Sequence, residues 1–220
     1  MKFSKYFLTV LIVSLVAGIY FWYFVINPSK NSPELSPVAT ETPNVYVDFS
    51  LDEPPSQSLK GLITNLDGDV RILGRTATEE ASLNSPTVSV QQGENYITGD
   101  DGELSIIFKN AVELDMDQNS EVDVIQTIPA GIVFSQINGE VSYKKIGDYP
   151  VTVRTSYLLT EIDGDVAITR DTDNFLVAIK INSGSVTFAY NDKDYISRVI
   201  EAEEGQVFSF NYDTRQGVLK

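Results

Sequence analysis

The chain contains no histidine and no cysteine, so any proton transfer it performs must rest on carboxylates, lysine and tyrosine. The usual zinc, copper and haem ligand sets are missing, as is the base that most often activates a serine or threonine nucleophile. Three carboxylate groupings remain as candidates. Asp115-Met116-Asp117-Gln118-Asn119 places oxygen-bearing side chains at alternate positions, as a calcium loop does. Such a loop would need a glycine at position 120 and an acid at position 126, where the chain has Ser120 and Gln126. Leu114 and Met116 also alternate as strand residues, so a solvated strand edge is the better reading. The pairs Glu79-Glu80 and Glu203-Glu204 supply adjacent acids, but adjacency along the chain does not create the spatial separation that glycoside hydrolysis needs. Tyr143, Tyr149, Tyr157, Tyr190 and Tyr195 form a candidate sugar-stacking face, although tyrosine is also an ordinary strand residue with a wet tip. No catalytic residue, metal ligand or cofactor is assigned, and the expectation is a protein that is not an enzyme.

The elements that would carry such residues follow from composition. Lys and Arg total 16 against 31 Asp and Glu, a net charge of -15 that repels phosphate backbones and argues against nucleic acid as a partner. The charge-free run from Tyr6 to Ile26 matches the roughly 20 apolar residues of a membrane-spanning helix. Its apolar contacts with lipid are expected from Tyr6, Phe7, Leu8, Leu11, Ile12, Val13, Leu15, Val16, Ile19, Phe21, Phe24, Val25 and Ile26, with Tyr20, Trp22 and Tyr23 at the far interface. Lys2 and Lys5 precede the run and set the expected topology, with residues 1–5 as a cytoplasmic stub and everything past the anchor exported. Bulky aromatics stand where a signal peptidase needs small residues, which favours an uncleaved anchor over a removed signal.

Residues 27–59 hold six of the nine prolines and no glycine. They read as a stiff, extended linker whose reach is on the order of 100 Å in polyproline form. Within it, Val45-Tyr46-Val47-Asp48-Phe49 is a short apolar stretch, read as linker ahead of an added strand. From Lys60 the composition switches to that of a turn-rich β domain, residues 60–220, carrying 13 of the 14 glycines. Val112-Glu113-Leu114-Asp115-Met116, Val151-Thr152-Val153 and Val207-Phe208-Ser209-Phe210 alternate apolar and polar residues, the mark of a half-buried strand.

A glycine, a polar residue and a strand-opening valine recur as Gly68-Asp69-Val70, Gly139-Glu140-Val141, Gly164-Asp165-Val166, Gly184-Ser185-Val186 and Gly205-Gln206-Val207. This spacing suits one pair of strands per unit, so the expected architecture is a rolled β-sandwich or a short β-solenoid-like stack. Five unrelated strand starts after turns would give the same pattern.

The run Val90-Gln91-Gln92-Gly93-Glu94-Asn95-Tyr96-Ile97-Thr98-Gly99-Asp100-Asp101-Gly102-Glu103-Leu104-Ser105-Ile106-Ile107-Phe108 resembles the opening of a FecR domain. Asn119-Ser120, Gln136-Ile137-Asn138-Gly139-Glu140-Val141, Pro150 to Thr155 and Ser183-Gly184-Ser185-Val186 are similar to later blocks of that family in the same order. Lys109-Asn110-Ala111 and Gly164-Asp165-Val166-Ala167 depart from it, which puts any partner surface carried over from the family in doubt. The iron-transport regulators of the family carry a cytoplasmic anti-sigma segment, for which residues 1–5 are too short. The resemblance implies an extracytoplasmic interaction or sensing module of the bacterial cell envelope that binds another envelope protein. Alternatives are a structural scaffold or assembly subunit of the envelope, and a carbohydrate-binding or wall-polymer-acting protein.

Overall fold

The computed structural model describes residues 57–220; the anchor, the stub and most of the proline-rich linker lie outside the described residues. Among the described residues no helix is present that is long and apolar enough to cross a membrane. The architecture is all-β, and its strands, numbered in chain order, join one open sheet that is doubled over on itself.

Pairing resolves this sheet into two layers. The front layer runs β3 (Ala81–Ser82), β2 (Val70–Leu73), β5 (Asn95–Thr98), β8 (Glu121–Ile128), the first half of β9 (Gly131–Lys145), β10 (Val151–Thr155), the first half of β11 (Leu158–Asp171), the second half of β12 (Leu176–Asn191) and β13 (Ser197–Glu203). The back layer runs β4 (Ser89–Val90), β1 (Gly61–Asp67), β6 (Glu103–Phe108), β7 (Val112–Met116), the second halves of β9 and β11, the first half of β12, β14 (Val207–Asn211) and β15 (Gln216–Leu219). Side chains from the two layers meet in one core. Phe108 of the back packs on Phe134 of the front with ring centroids 5.7 Å apart, and Phe188 of the front stacks on Phe208 of the back at 4.2 Å.

Each of the five glycine–polar–valine units is a corner at which the chain passes between layers. Gly68 lies between β1 and β2, Gly205 between β13 and β14, and Gly139, Gly164 and Gly184 fall inside β9, β11 and β12 where each long strand changes layer. Gly139 has φ 82°, and a Cβ there would stand 2.3 Å from the Ser120 hydroxyl oxygen, so no other residue fits without displacing the neighbouring corner. Val70, Val141, Val166 and Val186 are the first core-facing residues after their corners and are buried. The recurrence is therefore a set of folds in one doubled sheet, neither unrelated strand starts nor a uniform stack of repeats.

One pairing breaks the antiparallel pattern. β10 lies parallel to the first half of β9, with Val151 opposite Ile132. Between them the chain makes a full turn: along the front, around Gly139, along the back, and around residues 146–150 to the front again. This turn exchanges the two long edges of the sandwich. Before it, the corners at Gly68, residues 99–102 and residues 117–120 share the edge of Gly139, as the bonds Gly99 N–H to Asp69 O (2.7 Å) and Asn119 N–H to Gly99 O (2.9 Å) show. After it, the corners at Gly164, Gly184 and Gly205 lie on the opposite edge, joined by Glu204 N–H to Gly184 O at 3.1 Å. Buried Gln136 steadies the crossing: its amide donates to Gly139 O and Ile168 O at 2.9 Å, and its carbonyl accepts from Tyr143 at 3.3 Å.

Candidate functional site

In the C-terminal half, the edge without corners is formed by hairpin tips. They are Ser156-Tyr157 between β10 and β11, residues 172–175 between β11 and β12, residues 192–196 between β12 and β13, and residues 212–215 between β14 and β15. Front and back tips converge there, because both layers start from the corner seam on the far edge.

Each tip holds one non-glycine residue in the left-handed region: Ser156 at φ 52°, Phe175 at 56°, Tyr195 at 60° and Arg215 at 53°. A hairpin's left-handed position is the usual place for glycine, since a Cβ there costs about 1–2 kcal/mol. Three of these four positions carry an aromatic ring or a guanidinium instead. The turns are held by short polar residues at their start. Asp171 Oδ1 accepts from the N–H groups of Asp173 and Asn174, both at 3.0 Å, while its Oδ2 accepts from the Asn174 amide at 2.6 Å. Asp192 Oδ1 accepts from Ile196 N–H at 2.9 Å and from Asp194 N–H at 3.0 Å, and its Oδ2 accepts from the Arg198 guanidinium at 2.9 Å. Asn211 Oδ1 accepts from Thr214 N–H at 2.8 Å. The hydrogen bond from the Asn174 amide holds the Asp171 carboxyl below the ordinary carboxylate range, and the Ile196 N–H does the same for Asp192.

The side chains set by these turns form one surface. Arg215 lies over the Tyr157 ring at 4.1 Å and within 5.8 Å of the Tyr195 ring, a double cation–π contact. Phe175 meets Tyr212 edge to face at 5.6 Å, and the Arg170 guanidinium lies over the Tyr212 ring at 5.5 Å. Tyr157, Phe175 and Tyr195 are 56%, 50% and 79% exposed. They border two shallow neighbouring depressions of about 290 and 420 Å³ that share Tyr157, Tyr212 and Asp213, with Lys193 and Arg215 at the first. Large exposed aromatics with arginine, held at a backbone cost, make a surface suited to binding.

The five tyrosines singled out in the sequence do not form one face. Tyr157 and Tyr195 join this surface; Tyr143 is buried beside Phe134, and Tyr190 lies partly buried against Phe208 and Phe210, beneath the tips. Tyr149 sits half-buried beside the turn that leads into β10. Burial pushes the phenols of Tyr143 and Tyr96 far above their ordinary range. The sequence reading missed Phe175, Tyr212 and Arg215. The acidic groupings are scattered: Asp115 lies exposed within β7 between buried Leu114 and Met116, Asp117 to Asn119 form an exposed corner, Glu80 pairs with Arg71, and Glu203-Glu204 lie at the Gly205 corner. Among the described residues no cluster of three or more acids is placed to hold a metal ion.

Among the described residues the fold is a two-layer all-β one with an exposed aromatic–arginine surface at one end. Against known proteins, no family model matches the chain, and no curated protein matches it either. Two crystal structures of a protein of Parabacteroides distasonis, provisionally described as an anti-sigma factor, are similar to it, each with TM-score 0.50 and 12% identity over 57% of this chain. The chain spans 58% of the length of those chains. The likeness is one of fold alone.

Proposed function

We propose that the chain is a membrane-anchored, FecR-like extracytoplasmic interaction and sensing module that binds another cell-envelope protein through its aromatic end. In this reading Tyr6 to Ile26 crosses the membrane once, residues 1–5 stay in the cytoplasm, residues 27–59 form the tether and residues 60–220 are exported. The observation that carries the reading is the convergence of Phe175, Tyr195 and Arg215, all left-handed, on one exposed surface with Tyr157 and Tyr212. Stability alone would select glycine at those turns, so the side chains are kept for what they touch. Tyrosine, phenylalanine and arginine are also the residues that dominate protein interfaces. A role in signalling draws support from the fold shared with the provisional anti-sigma factor.

A protein partner suits the surface better than a glycan. Arg215 already occupies one face of Tyr157, so sugar stacking on that face would have to displace a cation–π contact. The test places a photo-crosslinking amino acid at Tyr195 in the full-length chain, in living cells, with Val218 as the control. A discrete protein adduct at Tyr195, absent at Val218 and lost with Arg215→Ala, supports the reading; adducts independent of position overturn it. Fractionation with a C-terminal tag tests the anchor: full-length protein stays in the membrane until detergent is added, whereas a soluble product beginning near residue 27 contradicts it.

A further inference from the structure

Charge is spread unevenly along the edge that carries the aromatic tips. Thr172 Oγ1 donates to Asn138 Oδ1 at 3.5 Å, so the tips share that edge with the corners of the N-terminal half. Those corners are acidic: Asp67, Asp69, Asp100, Asp101 and Asp117 stand at them, in a chain with 31 acids against 16 bases. The first depression among the tips reverses this balance. Lys193 and Arg215 line it with Tyr157, Tyr195 and Tyr212, against one acid, Asp213.

The other acids of the tips do not neutralise these two cations. Asp192 is paired with Arg198 and holds two N–H groups of its own turn, and Asp171 holds two of its own. Asp173 and Asp194 are exposed on the same turns and do not line the depression. Among the described residues neither Lys193 nor Arg215 forms an ion pair. Arg215 is half-buried, with the Tyr157 ring 4.1 Å and the Tyr195 ring 5.8 Å from its guanidinium carbon. Contact with a ring face uses none of a guanidinium's N–H donors, and two of them side by side match the two oxygens of a carboxylate. The rings thus hold the side chain in place before a ligand arrives, which lowers the entropy lost on binding.

We infer that the first depression seats a side-chain carboxylate of the partner, gripped by paired N–H groups of Arg215 and neutralised by Lys193, so that the bound envelope protein presents an acidic segment here. The inference rests on the proposed reading of this end as a protein-binding surface and adds the chemistry of the bound segment. Tyr157 and Tyr212 continue into the second depression, which Phe175 walls without any basic residue. An apolar side chain next to the acid fits there. The acidic corners fix where the segment lies. From β9 at the Gly139 corner to β14 the back layer spans three strand spacings, about 15 Å, beyond the Debye length of about 8 Å at physiological salt. An acid over Arg215 is screened from the corners, whereas the same segment displaced toward Asn138 is repelled by them.

The test uses the full-length chain in living cells with the photo-crosslinking residue at Tyr195, and changes charge without removing a ring. Lys193 is exposed. Lys193→Glu is expected to lower the yield of the discrete adduct at least about tenfold, because it sets a like charge against the bound acid, while Lys193→Arg retains the adduct. Lys180→Glu, on the outer face of the back layer opposite Val207, makes the same change in net charge and is expected to leave the yield unaltered. Mass spectrometry of the adduct is expected to find the linked partner residue beside an aspartate or glutamate, and unchanged circular dichroism shows that the variants fold. Equal yields from Lys193→Glu and Lys180→Glu, or a linked segment without an acid, would overturn this inference and leave the binding reading standing. If no discrete adduct forms with Lys193 in place, both fall.

Discussion

Replacing Tyr195 separates the demands of the fold from those of the surface. Tyr195 is 79% exposed, so truncating it to alanine or to glycine removes almost the same small contact area, and the two variants differ chiefly in backbone freedom. At φ 60° a Cβ costs about 1–2 kcal/mol, whereas glycine gives back about 0.5–1 kcal/mol through the larger freedom of its unfolded chain. The balance leaves Tyr195→Gly more stable than Tyr195→Ala by about 0.5–1 kcal/mol. For a domain of this size that is a rise of roughly 1–4 °C in melting temperature. An exposed mid-strand site reverses the order: Thr169→Gly is expected to melt below Thr169→Ala, since glycine in a strand costs about 0.5–1 kcal/mol. Thermal unfolding of the full-length variants in detergent, followed by circular dichroism at 218 nm as roughly the β minimum, reads both pairs. If alanine matched or exceeded glycine at position 195, the strain argument would fall, and with it the case that these turns are kept for binding.

Other outcomes follow from the corners, the core and the caps. Gly139→Ala, which drives a Cβ against the Ser120 corner, should destabilise by several-fold more than Gly205→Ala, which has φ 83° but no atom within 4 Å and should cost about 1 kcal/mol; chemical denaturation compares them. Phe208→Ala, which unstacks Phe188 and empties the space between the layers, should cost about 3–5 kcal/mol by the same assay. Gln136→Leu should cost about 1–3 kcal/mol, because it takes the side-chain donor from the buried Ile168 carbonyl and the half-buried Gly139 carbonyl. The lowered pKa values of Asp171 and Asp192 mean that their stabilisation is fully present above about pH 4 and is lost as pH falls through their folded values. Asp192→Asn keeps an acceptor for Ile196 N–H, so its melting temperature should fall less between pH 5 and roughly pH 3 than that of the unaltered chain.

Much of the fold was legible. Alternation marked the strands, and the glycine–polar–valine units marked five of the places where the chain changes layer, where a residue without a Cβ makes the corner and a core-facing side chain follows; the layer changes at residues 99–102, 117–120 and 146–150 carry no such unit. The parallel pairing of β10 with β9 was not legible, since which edge a corner occupies depends on long-range register, which local residue patterns do not encode. The binding surface was only partly visible. Tyr157 and Tyr195 stood among the tyrosines flagged in the sequence, but they could not be separated from buried Tyr143. Phe175 and Arg215 escaped because the usual signal for a left-handed turn position is glycine or asparagine. Asp171, Asp192 and Asn211, each at or near the start of a polar run, were the available cue to those turns.

The exchange of edges at β9 and β10 also has a mechanical consequence. The chain enters the fold beside Thr127, where Leu59 N–H donates at 2.7 Å, at the edge opposite the aromatic tips. A load applied between that entry and a molecule held at the tips therefore runs along the strands, not across them. Hydrogen bonds of neighbouring strands then resist sliding together instead of opening one at a time like a zipper. Had the corners kept to one edge throughout, both attachment points would have faced the same way, and the same load would have peeled the layers apart.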